Sequence, residues 1–174
     1  EQLNPITLLR PAYTITSGSL RLLDLAQSLG NVRGIVRDHL VDFQRDYFDD
    51  QFEPGEATLY LNSRLVPDAA MMFQLQERVA TSLQERSSWC AVQNGVVVAA
   101  ITAAGSAPDT SSTNAETLTD FLSCQLPPVD INAQLFEYPH EVVGHHTETM
   151  LRNLEFRLRR GSYQEIAERV YAPA

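Results

Sequence analysis

Trp89-Cys90-Ala91-Val92-Gln93-Asn94-Gly95-Val96-Val97-Val98-Ala99-Ala100-Ile101 reads as two apolar, β-branched runs on either side of a two-residue turn. Asn94-Gly95 suits the positive φ angles of a type I′ turn, so the stretch predicts a β-hairpin. Towards the N-terminus, Thr58-Leu59-Tyr60-Leu61-Asn62 is a nearly continuous apolar run with polar flanks, the pattern of a buried strand. Val32-Arg33-Gly34-Ile35-Val36-Arg37 reads as a further short strand. Helical spacing surrounds these segments. Apolar positions recur from Leu20 to Leu29 before Gly30, a second helical stretch runs from about Asp38 to Phe48, and Pro67-Asp68 starts a third that reaches about Leu83. Met71, Met72, Leu75 and Val79 form the inner side of that third helix. Towards the C-terminus the sequence predicts a loop over Gly105 to Asn114 and a helix over Ala115 to Cys124, closed by Pro127-Pro128. A longer helix follows over Glu141 to Arg160, with Gly161 interrupting before a last helical stretch, Tyr163 to Val170. Helices alternating with strands predict an α/β fold, with a mixed, partly parallel sheet flanked by helices. Ligands are then expected at the loops after the strands, near residues 37, 62 and 103.

Composition narrows the chemistry. All 13 basic residues among the 174 are arginine, which excludes lysine Schiff bases and the phosphate loop that ends in Lys-Ser/Thr. Cationic recognition must therefore use a planar donor fork that does not deprotonate. The net charge of −9 argues against a nucleic-acid partner, which would call for a basic face. Cys90 and Cys124 are far apart and form no CxxC, so neither a zinc site nor a disulfide framework is indicated, and a cytoplasmic location is the expectation. No apolar run approaches the roughly 20 residues needed to span a bilayer, so no membrane partner is expected.

Several motifs invite a chemical reading. In His140-Glu141-Val142-Val143-Gly144-His145-His146 the second histidine falls five residues after the first. That separation turns the pair by about 140° around a helix and defeats the HExxH zinc arrangement. Glu141, His145 and Glu148 share a face at i, i+4 and i+7, which suits a cation or simply a solvated stripe. His39 reads as a surface or capping residue, and Cys90 as a structural thiol in an apolar strand. Asp46, Asp49, Asp50, Glu53 and Glu56 form an acidic edge, for which solvation is the simpler account. Ser17-Gly18-Ser19, just before a helix, is read either as a turn offering backbone amides to a phosphate or as a serine cap with glycine in the turn.

Asn4-Pro5-Ile6-Thr7-Leu8-Leu9-Arg10-Pro11, the turn at Ser17-Gly18-Ser19-Leu20-Arg21, Leu61-Asn62-Ser63-Arg64-Leu65-Val66-Pro67, the Asn94-Gly95 hairpin and Tyr138-Pro139-His140-Glu141-Val142-Val143 occur in an order that resembles a known group. The chain is similar to the N-terminal domain of bacterial sugar nucleotidyltransferases related to the bifunctional N-acetylglucosamine-1-phosphate uridyltransferase/acetyltransferase. The resemblance implies a Rossmann-like transferase domain over residues 1–160, and a role in cell-envelope sugar metabolism. Residues 161–174 would be a helical linker towards a β-helix of hexapeptide repeats that is not in this sequence and through which homo-oligomers would form. It further implies a nucleoside triphosphate and a sugar 1-phosphate as ligands, Mg²⁺ as cofactor, and phosphate contacts from Arg10, Arg64, Arg21, Ser17 and Gly18, with Asn62 in the substrate-side loop. The sequence departs from the pattern at key places. Residues 1–4 hold no glycine-rich loop, Ala12 stands where a lysine is expected, and Arg64 stands where the metal-binding aspartate is expected. An arginine there repels a cation but can itself contact a phosphate. Two readings follow: a nucleotidyltransferase, or a non-catalytic module that binds a nucleotide or sugar phosphate or supports assembly of a hexapeptide-repeat acyltransferase.

Overall fold

A computed structural model describes residues 3–47, 57–108, 115–161, 163–168 and 170–173. At its centre lies the expected hairpin. Strands Trp89–Gln93 and Val96–Ala103 pair antiparallel, and Asn94 and Gly95 turn between them with φ of 52° and 76°. In chain order the described residues form β1 (Thr16–Ser17), β2 (Leu20–Arg21), α1 (Leu22–Gln27), α2 (Val41–Tyr47), β3 (Ala57–Leu61), α3 (Ala69–Glu85), β4 (Trp89–Gln93), β5 (Val96–Ala103) and α4 (Ala115–Gln125). They continue with β6 (Pro128–Val129), α5 (Glu141–Arg160), β7 (Tyr163–Ala167) and β8 (Val170–Pro173).

The main sheet runs β3-β5-β4-β6. β3 and β4 flank β5 antiparallel, with Tyr60 opposite Ala100, and β6 joins β4 in parallel, so the sheet is mixed as expected of an α/β fold. Both faces of β5 are covered, which is why its sequence is apolar almost throughout rather than alternating. On one face Ala99 and Ile101 join the core built with α1 and α3 (Leu25, Met72 and Leu75). On the other, Cys90 and Ala100 meet Leu118 and Leu122 of α4. α3 begins where Asp68 accepts a hydrogen bond from the Ala70 N–H at 2.9 Å, and it buries Met71, Met72 and Leu75 as the spacing predicts. Near its end, Ser82 Oγ accepts the Trp89 indole N–H at 2.7 Å and locks helix to sheet.

Two expectations are corrected. Val32 to Arg37 is not a strand: Val32 and Val36 pack on the core side by side with Gly34, where a β-carbon would sit 2.6 Å from the Tyr13 hydroxyl. The segment leans on an aromatic side chain instead of pairing with a neighbouring strand. Tyr163 to Val170 is not helical either. Gly161 ends α5 in extended backbone, and Tyr163–Ala167 pairs antiparallel with Val170–Pro173, so the described residues of a stretch expected to be helical are strands.

Candidate functional site

The end of β3 sets the geometry. Asn62 donates from Nδ2 to the Val97 carbonyl at 2.8 Å, which ties the turn to β5, and its Oδ1 accepts the Arg64 N–H at 3.0 Å. Such an Asx turn reverses the chain within two residues. The next stretch then pairs with residues 134–136: Arg64 C=O accepts from Phe136 N–H at 2.8 Å, and Val66 N–H donates to Gln134 C=O at 2.9 Å. Arg64 is therefore held by both its backbone groups. Among the described residues its guanidinium makes no hydrogen bond or ion pair.

That side chain lies where two clefts meet. One, of about 240 Å³, is bordered by Thr7, Tyr13, Ile35, Arg37 and Ser63 together with Arg64. Two of the three loops expected to carry a ligand, near 37 and 62, thus face each other across it. Burial pushes the Tyr13 phenol up to about 12, so the charge on this cleft comes from Arg37 and Arg64 and not from Tyr13. Arg37, which the sequence reading placed at the end of a strand and gave no role, donates to the Thr7 carbonyl. The other cleft, of about 290 Å³, is lined by Arg64 and by the side-chain amides of Gln93, Asn94, Asn132 and Gln134. Each amide is both donor and acceptor, the property that hydroxyl-rich ligands require.

Two of the titratable groups of the second cleft, Glu141 and His145, are already engaged. Glu141 Oε2 accepts the N–H groups of Glu137 at 2.6 Å and Tyr138 at 3.0 Å, bonds that hold its carboxyl below the ordinary glutamate range. His145 Nδ1 lies 3.0 Å from Glu148 Oε2, and its ring meets Phe136 edge-on at 5.8 Å. Mg²⁺ needs converging oxygen ligands, and this donor set does not suit it. A guanidinium stands at the position the resemblance gives to a carboxylate, and Glu141 holds backbone amides. Among the described residues no three His, Cys, Asp or Glu side chains cluster as a metal site would require.

The other residues singled out in the sequence lie elsewhere. Arg10 is exposed and reaches the Ile6 carbonyl at 3.4 Å, and Arg21 is paired with Asp24 at 2.5 Å, so neither lines the clefts. Burial raises the Asp24 carboxyl, but the hydrogen bonds and charge of Arg21 outweigh it and hold the group low. The Ser17-Gly18 turn is corrected. Ser17 is fully buried, Gly18 N–H donates to His146 Nδ1 at 3.2 Å, and α5 lies across the turn, so its amides face a helix rather than a phosphate. His39 Nε2 lies 3.0 Å from the Leu8 carbonyl, a surface contact. Of the acidic edge, Asp46 belongs to α2, while Asp49, Asp50, Glu53 and Glu56 fall outside the described residues.

The sequence reading missed the polar row His146, Thr149 and Asn153, in which Asn153 is fully buried, donates to the Pro67 carbonyl at 2.7 Å and accepts the Ala69 N–H at 2.9 Å. Its only signal is the i, i+3, i+7 spacing, which a solvated face shares.

An α/β domain with a paired-cleft site at the carboxyl end of a strand is a frame for binding small polar ligands. The family model described as sugar nucleotidyl transferase matches residues 1–161, and the chain belongs to that family. No curated protein and no solved structure is significantly similar to it. No helix among the described residues is long and apolar enough to cross a membrane.

Proposed function

We propose that the chain binds a nucleoside triphosphate and a sugar 1-phosphate across the Arg64 junction and transfers the nucleotidyl group between them, with pyrophosphate released. The observation that carries this reading is the Arg64 guanidinium, unpaired among the described residues, whose backbone is held between a cleft it shares with Arg37 and a cleft lined by Gln93, Asn94, Asn132 and Gln134. A planar fork there neutralises phosphate charge where the resemblance to the bifunctional uridyltransferase would place a metal ligand. The amides of Gln93, Asn94, Asn132 and Gln134 would take the sugar hydroxyls. In the transfer, an oxygen of the sugar phosphate attacks the α-phosphorus, the bond to the bridging oxygen breaks, and pyrophosphate departs. Positioning and charge stabilisation carry such a step.

A second reading, binding without turnover, is favoured by one observation: Glu141, one of the two glutamates lining the second cleft, is committed to the start of its own helix. Calorimetric titration of the protein with UTP, dTTP and sugar 1-phosphates, with and without Mg²⁺, tests both. Arg64→Ala is expected to weaken binding by about 10- to 100-fold, the loss of one charge-assisted contact, with Arg64→Lys recovering only part. Pyrophosphate release in the paired-substrate assay selects the first reading, and binding without release selects the second. Absence of binding by any of these ligands overturns both.

A further inference from the structure

The two clefts that meet at Arg64 differ in charge. Among the described residues lining the first, Arg37 and Arg64 are the charged side chains, and no carboxylate or imidazole joins them. The second carries Glu137 and Glu141 beside Arg64. In a chain with 22 acidic and 13 basic side chains, a concavity with positive charge alone runs against the composition and focuses its field on an anion.

Neither arginine is neutralised within the chain. Arg21, Arg45 and Arg152 are closed on carboxylates at 2.5, 3.1 and 2.8 Å, whereas among the described residues no acidic oxygen lies within 4.0 Å of Arg37 or Arg64. Arg37 donates to the Thr7 carbonyl, a neutral acceptor that orients the guanidinium without cancelling its charge. The Arg64 backbone is held through Asn62 Oδ1 and the Phe136 N–H, which leaves its side chain to the clefts. Each planar fork can grip two oxygens of one phosphate group, so two forks on separate loops suit an anion of linked phosphates.

We propose that the first cleft binds a polyphosphate as the metal-free anion, with Arg37 and Arg64 supplying the two positive charges that a divalent cation would bring. On the nucleotidyl-transfer reading above, on which the identity of the ligand rests, that anion is the phosphate chain of the nucleotide and then the departing pyrophosphate. The unsuitability of the donor set for Mg²⁺ follows from the same arrangement, because guanidinium groups stand where carboxylate ligands would be needed. Pyrophosphate already complexed by Mg²⁺ has part of its charge and its oxygens taken, so this cleft discriminates against it. The glutamates of the second cleft repel the same anion and leave that side to neutral hydroxyl groups.

Calorimetric titration with inorganic pyrophosphate, at constant ionic strength and in excess EDTA, should show binding, and replacing EDTA by saturating Mg²⁺ should lower the apparent affinity. Arg37→Gln and, separately, Arg64→Gln should each weaken the metal-free binding by about 10- to 100-fold, the loss of one charge-assisted contact. Arg33→Gln, which removes an exposed arginine of the same segment that lines neither cleft, should leave it unchanged. Unaltered urea midpoints would confirm that the three variants are folded. No binding in EDTA, binding that only Mg²⁺ permits, full affinity in Arg37→Gln, or an equal loss in Arg33→Gln would each overturn the proposal. Nucleotide binding without metal-free pyrophosphate binding would overturn it and leave the proposed function standing, whereas pyrophosphate binding without nucleotide binding would keep the anion site and overturn the nucleotide reading.

Discussion

Gly18 sits in the β1–β2 turn at φ +56°, and a β-carbon there would lie 2.9 Å from Thr149 Cβ and 2.1 Å from its Oγ1. Both the left-handed backbone and the contact with α5 demand glycine. Gly18→Ala is expected to destabilise the fold by at least about 2 kcal/mol, read as a lower urea midpoint at constant slope. Asn153 answers to a different constraint. Its amide satisfies the Pro67 carbonyl and the Ala69 N–H where no water reaches, so Asn153→Leu leaves both unpaired and should cost about 2–4 kcal/mol in the same measurement. Of these two residues only Gly18 was visible in the sequence, as part of a Ser-Gly-Ser turn, and its role was not. The partner that fixes the role, Thr149, is more than a hundred residues away.

Helix α5 shows how an element's boundaries and its orientation are decided separately. Its span, Glu141–Arg160, follows from periodicity and from Gly161. Its start depends on Glu141, whose Oε2 accepts two amide N–H groups ahead of the first turn. Because those bonds hold the carboxyl below its ordinary value of 4.5, the stabilisation is complete above that value and is lost as pH falls through the lower folded-state value. The site is largely exposed to solvent, so the effect is local. Protection of the Glu137 and Tyr138 amides, measured against their intrinsic exchange rates, should fall in acid, and Glu141→Ala should produce the same loss of protection at neutral pH, at a cost of about 0.5–1 kcal/mol. Protection that is unchanged in the variant would show that the cap is not made in solution. The hairpin β4–β5 was legible because Asn-Gly specifies its own turn, whereas β7–β8 was read as helix because no such dipeptide marks its reversal.

For the whole molecule, the three-layer order of α4, sheet and core decides which groups meet solvent. Cys90 is enclosed between β5 and α4, where burial pushes its thiol up, while Cys124 on the same helix is exposed. One of the two thiols should therefore react with an aromatic disulfide reagent in the folded protein and both after denaturation; two fast thiols in the native state would contradict the layering. The α/β class, the positions of β3, α3, β4, β5, α4 and α5, and the arginine-only cation supply were determined by the sequence itself, because periodicity, Asn-Gly and composition are local properties. Residues 32–37 show the limit of that information: a β-rich hexapeptide packs on Tyr13 because Gly34 lets it, a matter of a neighbour distant in sequence. The site divides in the same way. Arg64 and Asn62 could be named from the chain, but only the tertiary structure separated Arg64, unpaired among the described residues and set between two clefts, from Arg21, closed on Asp24, and buried the Ser17-Gly18 turn beneath α5. Whether a charged or polar group is available to a ligand depends on what the rest of the fold places against it, and that is a property of packing rather than of sequence.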